Sequence, residues 1–234
     1  MNKKYELTNN TKKVIGHTLH QIKALKSFGD VNKGDLGGWI EDYHNLSQFG
    51  ICWVYDNAIV FDNAMVYDDA KVYDDAWVYG NTKVYDASRV FGDSQVFDDA
   101  VVFDDAMVYG NAIVYDDAVV RNYAKVYGHA EIGGNAIVSD SAKVYGDSKI
   151  QGSIRIREND SIKDNKSYLI FNNTWSSGRQ FVYVLSNQRW HVGCFDGTGE
   201  ELIKKAYKDS ELSGKMYEMY VHFAKQVAEA KQQN

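Results

Sequence analysis

From Val54 to Ile150, every sixth residue is Val or Ile. The series runs Val54, Val60, Val66, Val72, Val78, Val84, Val90, Val96, Val102, Val108, Val114, Val120, Val126, Ile132, Val138, Val144 and Ile150. A period of six fits neither the roughly 3.6-residue turn of a helix nor the two-residue alternation of a lone strand. It fits a chain that turns a corner after each hexad and closes one coil every three hexads, a parallel β-helix.

Each hexad position has a physical role. The β-branched residue points inward and suits a pleated wall. A small residue two places earlier (Ala58, Ala64, Ala70, Ala76, Thr82, Ser88) fits a tight corner. Asp, Asn and Gly between them tolerate left-handed backbone, which a chain without proline needs for its bends. The residues flanking each Val alternate outward. Seventeen hexads give nearly six coils, a prism on the order of 27 Å tall at the inter-strand spacing. Its open ends need caps.

Three parts are expected: a capping segment over 1–39, the coil over 40–163, and a small α+β module over 167–234. Below Val54 the phase slips, because Ile40 and Leu46 are six apart but Leu46 and Val54 are eight apart. That predicts a two-residue insertion near Phe49-Gly50. Above Ile150, Ile156 and Ile162 keep the beat. The segments YLIFN, QFVYVL and RWHVGCF read as three short strands of a meander, followed by helices over 199–209 and 211–231. The stripe Tyr217, Tyr220, Val221, Ala224, Val227 and Ala228 predicts that the last helix docks on the end of the coil.

The hexads resemble those of hexapeptide-repeat proteins. More narrowly, Gly37-Gly38-Trp39-Ile40, Asn45-Leu46-Ser47-Gln48 and Cys52-Trp53-Val54-Tyr55-Asp56 resemble the start of YdcK-like members, which are often labelled acetyltransferases. The resemblance implies a left-handed coil. Trp190–Phe195 with Gly197–Leu202 is similar to a tail found on phage- and prophage-encoded relatives.

Sorting outward residues by 18 gives three faces. The first carries Tyr55, Tyr73, Phe91, Tyr109, Tyr127 and Tyr145, flanked by Lys71, Arg89, Lys125 and Lys143. The second carries Phe61, Tyr79, Phe97 and Tyr115 beside Ile59, Trp77 and Ile113. The third carries Tyr67, Tyr85 and Phe103 beside Met65, Val101, Val119 and Ile137. Such columns stabilise a sheet by cross-strand contact. They also have the composition that protein interfaces favour. Rows of carboxylates mark the corners, among them Asp68, Asp86 and Asp104 on one edge and Asp98 and Asp116 on another. Turn chemistry accounts for them; cation binding or imitation of a nucleic-acid edge are the functional alternatives.

The chain carries a formal charge of -6, and residues 54–153 hold 17 acidic against 7 basic side chains. That argues against direct nucleic-acid binding. Cys52 and Cys194 are too few for a disulfide framework and sit in no metal-ligand spacing, so no metal site is expected and reduced thiols in the cytoplasm are. No apolar run predicts a signal peptide or a membrane span.

Hexapeptide acyltransferases generally use a histidine base, and the regular hexads hold one histidine, His129, at a corner. No long loop interrupts the hexads to build an acceptor pocket. Cys194 with His191 lacks an oxyanion site, and Thr198 before Glu200 and Glu201 marks a helix entry poorly suited to phosphate. The leading expectation is therefore a non-catalytic β-helix binding protein of phage type that needs no cofactor. It would act on a protein partner or on itself as a homo-oligomer, in one form as an inhibitor of a host defence or nucleic-acid enzyme. The alternative is an acyltransferase that uses acetyl-CoA, with His129 as base.

Overall fold

A computed structural model describes residues 3–232. It is mainly β, a parallel β-solenoid with a cap at each end. The chain starts with a hairpin, β1 (Tyr5–Val14) and β2 (His17–Ala24), which pairs antiparallel with β3 (Leu36–Ile40). Two-residue strands β4 (Trp53–Val54) to β22 (Ser161–Ile162) then follow one per hexad.

These strands stack into three walls. One wall continues from β3 and carries Ile40, Val60, Val78, Val96, Val114, Ile132 and Ile150. The second runs from Val54 to Ile162, and the third from Val66 to Ile156. An isolated bridge from Leu46 to Val66 adds a rung to the third wall. Val or Ile stands on Val or Ile at every step, as in the pairing of Val90 with Val108 and Val114 with Ile132. The first-coil slip lies where the period breaks: Ile40 pairs with Val60 and Leu46 with Val66, twenty residues on, whereas Val54 pairs with Val72, eighteen on. The extra residues bulge at an exposed Phe49 and a left-handed Gly50.

Every inward Val or Ile of the solenoid, and every Ala two places before one, is fully buried. Each buried Val contributes about 1.5–3 kcal/mol before ordering entropy. Where Ser or Thr replaces Ala, its hydroxyl donates to the carbonyl of the aromatic three residues back, as Ser88 does to Tyr85 (2.7 Å) and Thr82 to Tyr79 (2.7 Å). The polar atom is thus satisfied inside an apolar corner.

Both ends are covered. At the start, Tyr5, Ile22, Ala24, Val31 and Trp53 close the valine core. Gly37 and Gly38 let β3 cross tightly there, since a Cβ on Gly38 would lie 2.6 Å from the Ala58 carbonyl oxygen. Lys4 is buried in this cap. Its ammonium donates to the carbonyls of Phe49 (3.2 Å) and Cys52 (2.9 Å) and to Cys52 Sγ (3.2 Å). Burial pushes the Lys4 pKa down and the Cys52 thiol pKa up.

At the far end, an antiparallel sheet of β23 (Tyr168–Asn172), β24 (Gln180–Val184), β25 (Arg189–Val192) and β26 (Phe195–Gly197) lies over the last rungs. Tyr168, Val182 and Val184 join the solenoid core. Helices α1 (Gly199–Asp209) and α2 (Glu211–Gln232) pack on the other side of this sheet, around Phe181, Tyr183, Trp190, Leu202, Tyr217 and Val221. The last helix therefore packs its apolar stripe on the sheet rather than on the coil end, because the sheet's inner face already fills that end. No helix among the described residues is long and apolar enough to cross a membrane.

Candidate interaction surface

The rungs place one aromatic column on each wall. On the first face Tyr73, Phe91, Tyr109, Tyr127 and Tyr145 stack with centroids 4.6–5.0 Å apart and planes within 6°. The spacing is that of the strands beneath, so the ladder follows directly from the register. Parallel stacking turns each ring's flat sides to its neighbours and leaves edges and hydroxyls outward. All five rings are partly exposed. Burial raises the pKa of Tyr73, Tyr109 and Tyr127, so these three hydroxyls stay uncharged at neutral pH.

Tyr55 departs from this ladder. Its ring meets Tyr73 edge-on at 87°, and its hydroxyl donates to Asp30 (2.7 Å). Lys71 reaches the other Asp30 oxygen at 2.8 Å. These residues, with Asp56, Tyr73 and Arg89, line a shallow groove of about 390 Å³. Further along the face, Arg89 and Lys143 are exposed, and neither they nor Lys125 forms an ion pair among the described residues. A column of cations, interrupted by Met107, therefore runs beside the rings.

The second face is partly covered, which corrects the sequence reading. Phe61 is only 2% exposed. The hairpin curls over it, packing Leu19 against Ile59 and Phe61, with Val14, Trp39, Trp77 and Tyr79 around them. The outward face remaining is Trp77, Tyr79, Phe97 and Tyr115, with Tyr79 stacked on Phe97 at 5.0 Å. Tyr115 leans across Gly133, where a Cβ would sit 2.4 Å from its ring, and accepts a bond from Gln151 Nε2 (2.6 Å). On the third face Tyr67, Tyr85 and Phe103 stack at 4.8 and 5.0 Å before Arg121 ends the column. Burial pushes Tyr67 up to about 12.

The acidic rows do turn chemistry. Asp56, Asp68, Asp74, Asp86, Asp98, Asp104 and Asp116 all have left-handed backbone. One carboxylate oxygen typically accepts the N–H one rung on: Asp86 from Asp104 (3.3 Å), Asp98 from Asp116 (3.3 Å), Asp104 from Asn122 (3.0 Å), Asp116 from Gly134 (2.8 Å). Each of these carboxylates ties two coils together.

The candidate catalytic groups are dispersed. His129 is exposed at a corner beside left-handed Gly128, and its side chain makes no hydrogen bond or ion pair among the described residues. Cys194 is an exposed free thiol in the turn between β25 and β26, while His191 is buried on β25, so the segment is two strands and the pair does not meet. The α1 N-terminus is already occupied. Thr198 and Glu201 form a capping box, with Glu201 accepting the Thr198 N–H at 2.8 Å, which lowers the Glu201 pKa and leaves no anion site there.

His191 belongs instead to a buried charged group invisible to the periodic pattern. Its nitrogens lie 2.7 Å from Asp160 and 2.6 Å from Asp196, off the axes of the ring N–H bonds. Asp160 also accepts from the Arg157 N–H (2.9 Å) and Asn187 (2.7 Å), and Arg189 pairs with Asp196. This group joins the last corner of the coil to the C-terminal sheet.

The sequence profile of the YdcK beta-solenoid repeat matches residues 106–122, about one coil. The "Uncharacterized acetyltransferase YdcK" of Escherichia coli (strain K12) is 52% identical over 42 residues. That stretch spans 18% of this chain and 13% of the relative's length. The likeness is one of repeat, confined to part of the coil.

Proposed function

We propose that this chain is a non-catalytic binding protein that holds a protein partner, or a second copy of itself, against its flat walls. The observation that carries the reading is the first-face ladder. Five partly exposed rings and the cations beside them form a ribbon that nothing among the described residues covers. Interface cores are enriched in Tyr, Phe and Arg, and a rigid wall loses little side-chain freedom on binding. Ring edges and hydroxyls suit a flat protein surface better than a base, which needs an open ring face to stack on.

The test uses solution mass and capture from a host lysate, with wild type beside Phe91→Lys/Tyr109→Lys. The wild type should associate, with itself or stoichiometrically with one protein, and the double variant should not. A monomeric wild type that captures nothing overturns the reading. Inhibition of a host defence or nucleic-acid enzyme is a narrower form of the same proposal, read out by assaying whatever enzyme is captured.

One finding favours a second reading, the acetyltransferase label of the E. coli relative. Acyl transfer would require acetyl-CoA binding along a wall and His129 as base. Calorimetry with acetyl-CoA at millimolar concentration, then turnover by His129→Ala, decides it. Absence of heat removes this reading and leaves the first intact.

A further inference from the structure

Three side chains from distant parts of the chain converge beneath the hairpin tip. His17 opens β2, Glu41 follows β3, and Asp62 stands at the left-handed corner after Phe61. His17 Nδ1 lies 2.9 Å from Glu41 Oε1, and Nε2 lies 3.3 Å from Asp62 Oδ1. The remaining carboxylate oxygens are tied to backbone: Glu41 Oε2 accepts the Asp62 N–H (2.9 Å), and Asp62 Oδ2 accepts the Gly80 N–H (3.4 Å). That leaves Oε1 and Oδ1 turned toward the imidazole. The ring packs on Phe61 at 5.0 Å, which restrains its plane. The three side chains are 30%, 31% and 34% exposed, so an ion and its waters can reach them.

The two nitrogens have different surroundings. The Nδ1–Glu41 contact has hydrogen-bond length, and a carboxylate on one ring nitrogen is the usual support for an imidazole that ligates a metal through the other. Nε2 and Oδ1 are too far apart for a good hydrogen bond. Their 3.3 Å separation suits two ligands of one tetrahedral ion, for which bonds of about 2.0–2.1 Å span roughly 3.4 Å. We propose that His17 Nε2 and Asp62 Oδ1 bind a divalent cation of the zinc class, with Glu41 orienting His17 and water completing the shell. Imidazole as a ligand selects such an ion over Ca²⁺ or Mg²⁺, which prefer oxygen. A dication also balances the two carboxylates against a neutral imidazole. The bound ion would pin the hairpin over Ile59 and Phe61. The site is independent of any partner on the walls.

The Glu41 hydrogen bond raises the His17 pKa, which favours a proton on the imidazole. Metal and proton therefore compete for Nε2, and affinity falls on acidification.

The test is Zn²⁺ calorimetry on the full chain, with Co²⁺ absorption as a second readout. One saturable site is expected. His17→Gln and Asp62→Asn should each abolish it, and Glu41→Gln should weaken it about 10–100-fold. His222→Ala, on the exposed side of α2, should bind as wild type does. Binding that does not saturate, or that survives in His17→Gln, overturns the assignment. Histidine ¹⁵N spectra of the wild type need no variant: a Zn²⁺-induced shift of His17 Nε2 supports the site, and an unmoved His17 refutes it.

Discussion

The same residue types take opposite places in the two halves of this chain. In the solenoid, the ladder from Tyr73 to Tyr145 stands on the outer skin, stacked within a few degrees of parallel, and Val and Ala fill the interior. In the C-terminal module, Phe171, Phe181, Trp190, Trp175, Tyr217 and Tyr220 form the core itself and meet at mixed angles, from 22° to 89°. Geometry accounts for the difference. A triangular coil closes around three inward β-branched residues and three small corner residues, and a ring does not fit. Between a sheet and two helices there is room for rings in edge-on contact. Polar groups follow the same division. Solenoid carboxylates sit at exposed or partly exposed corners on backbone N–H groups, whereas the module's junction buries Asp160 and His191 together.

The largest effect expected from this contrast is at that junction. Asp160→Ala removes the carboxylate beside His191 Nε2 and the acceptor of the Arg157 N–H, and loss of one buried partner costs about 3–5 kcal/mol. Urea unfolding should show it, together with earlier detachment of the module. An effect at the level of an exposed residue would mean that the charges carry no load.

The two cores should then be set against the ladder. Ile132→Ala removes a fully buried rung residue and should cost about 2–5 kcal/mol, and Phe181→Ala about 3–5 kcal/mol. Phe91→Ala, which removes ring contacts to Tyr73 and Tyr109, should cost only about 0.4–2 kcal/mol, two cross-strand pairs of roughly 0.2–1 kcal/mol each. Equal losses in Phe91→Ala and Phe181→Ala would erase the distinction between skin and core.

Smaller still is the dependence on pH at the hairpin. The folded His17 pKa is raised, chiefly by its hydrogen bond to Glu41. Its contribution to stability is thus fully present below the ordinary imidazole value of about 6.5 and fades as pH rises through the folded value. In metal-free buffer, the Tm gap between wild type and His17→Ala should narrow as pH rises through that window. A gap that widens would reverse the sign of the argument.

Much of this fold could be read from residue identity alone because each rung repeats the one before it. Val at every sixth position, Ala two places earlier and Asp or Gly between them state the walls and corners. Even the slip between Leu46 and Val54 marks its insertion. The helix bounds of the module were legible for a local reason, since Thr198 and Glu201 carry a capping box within four residues. What escaped depends on how distant segments curl. Nothing in the hexads says that Leu19 comes to lie on Phe61, or that His17, Glu41 and Asp62 meet. The ladder's position was legible; what it binds was not, because its spacing is set by the strands and is the same whether or not a partner exists.

Hydroxyl-radical footprinting of the dilute, monomeric chain would test the central placement directly. The prediction is ready oxidation at Tyr73, Phe91, Tyr109 and Tyr127, protection at Phe181 and Trp190, and loss of ladder labelling alone once association sets in. Ladder rings as protected as Trp190 in the monomer would contradict the account.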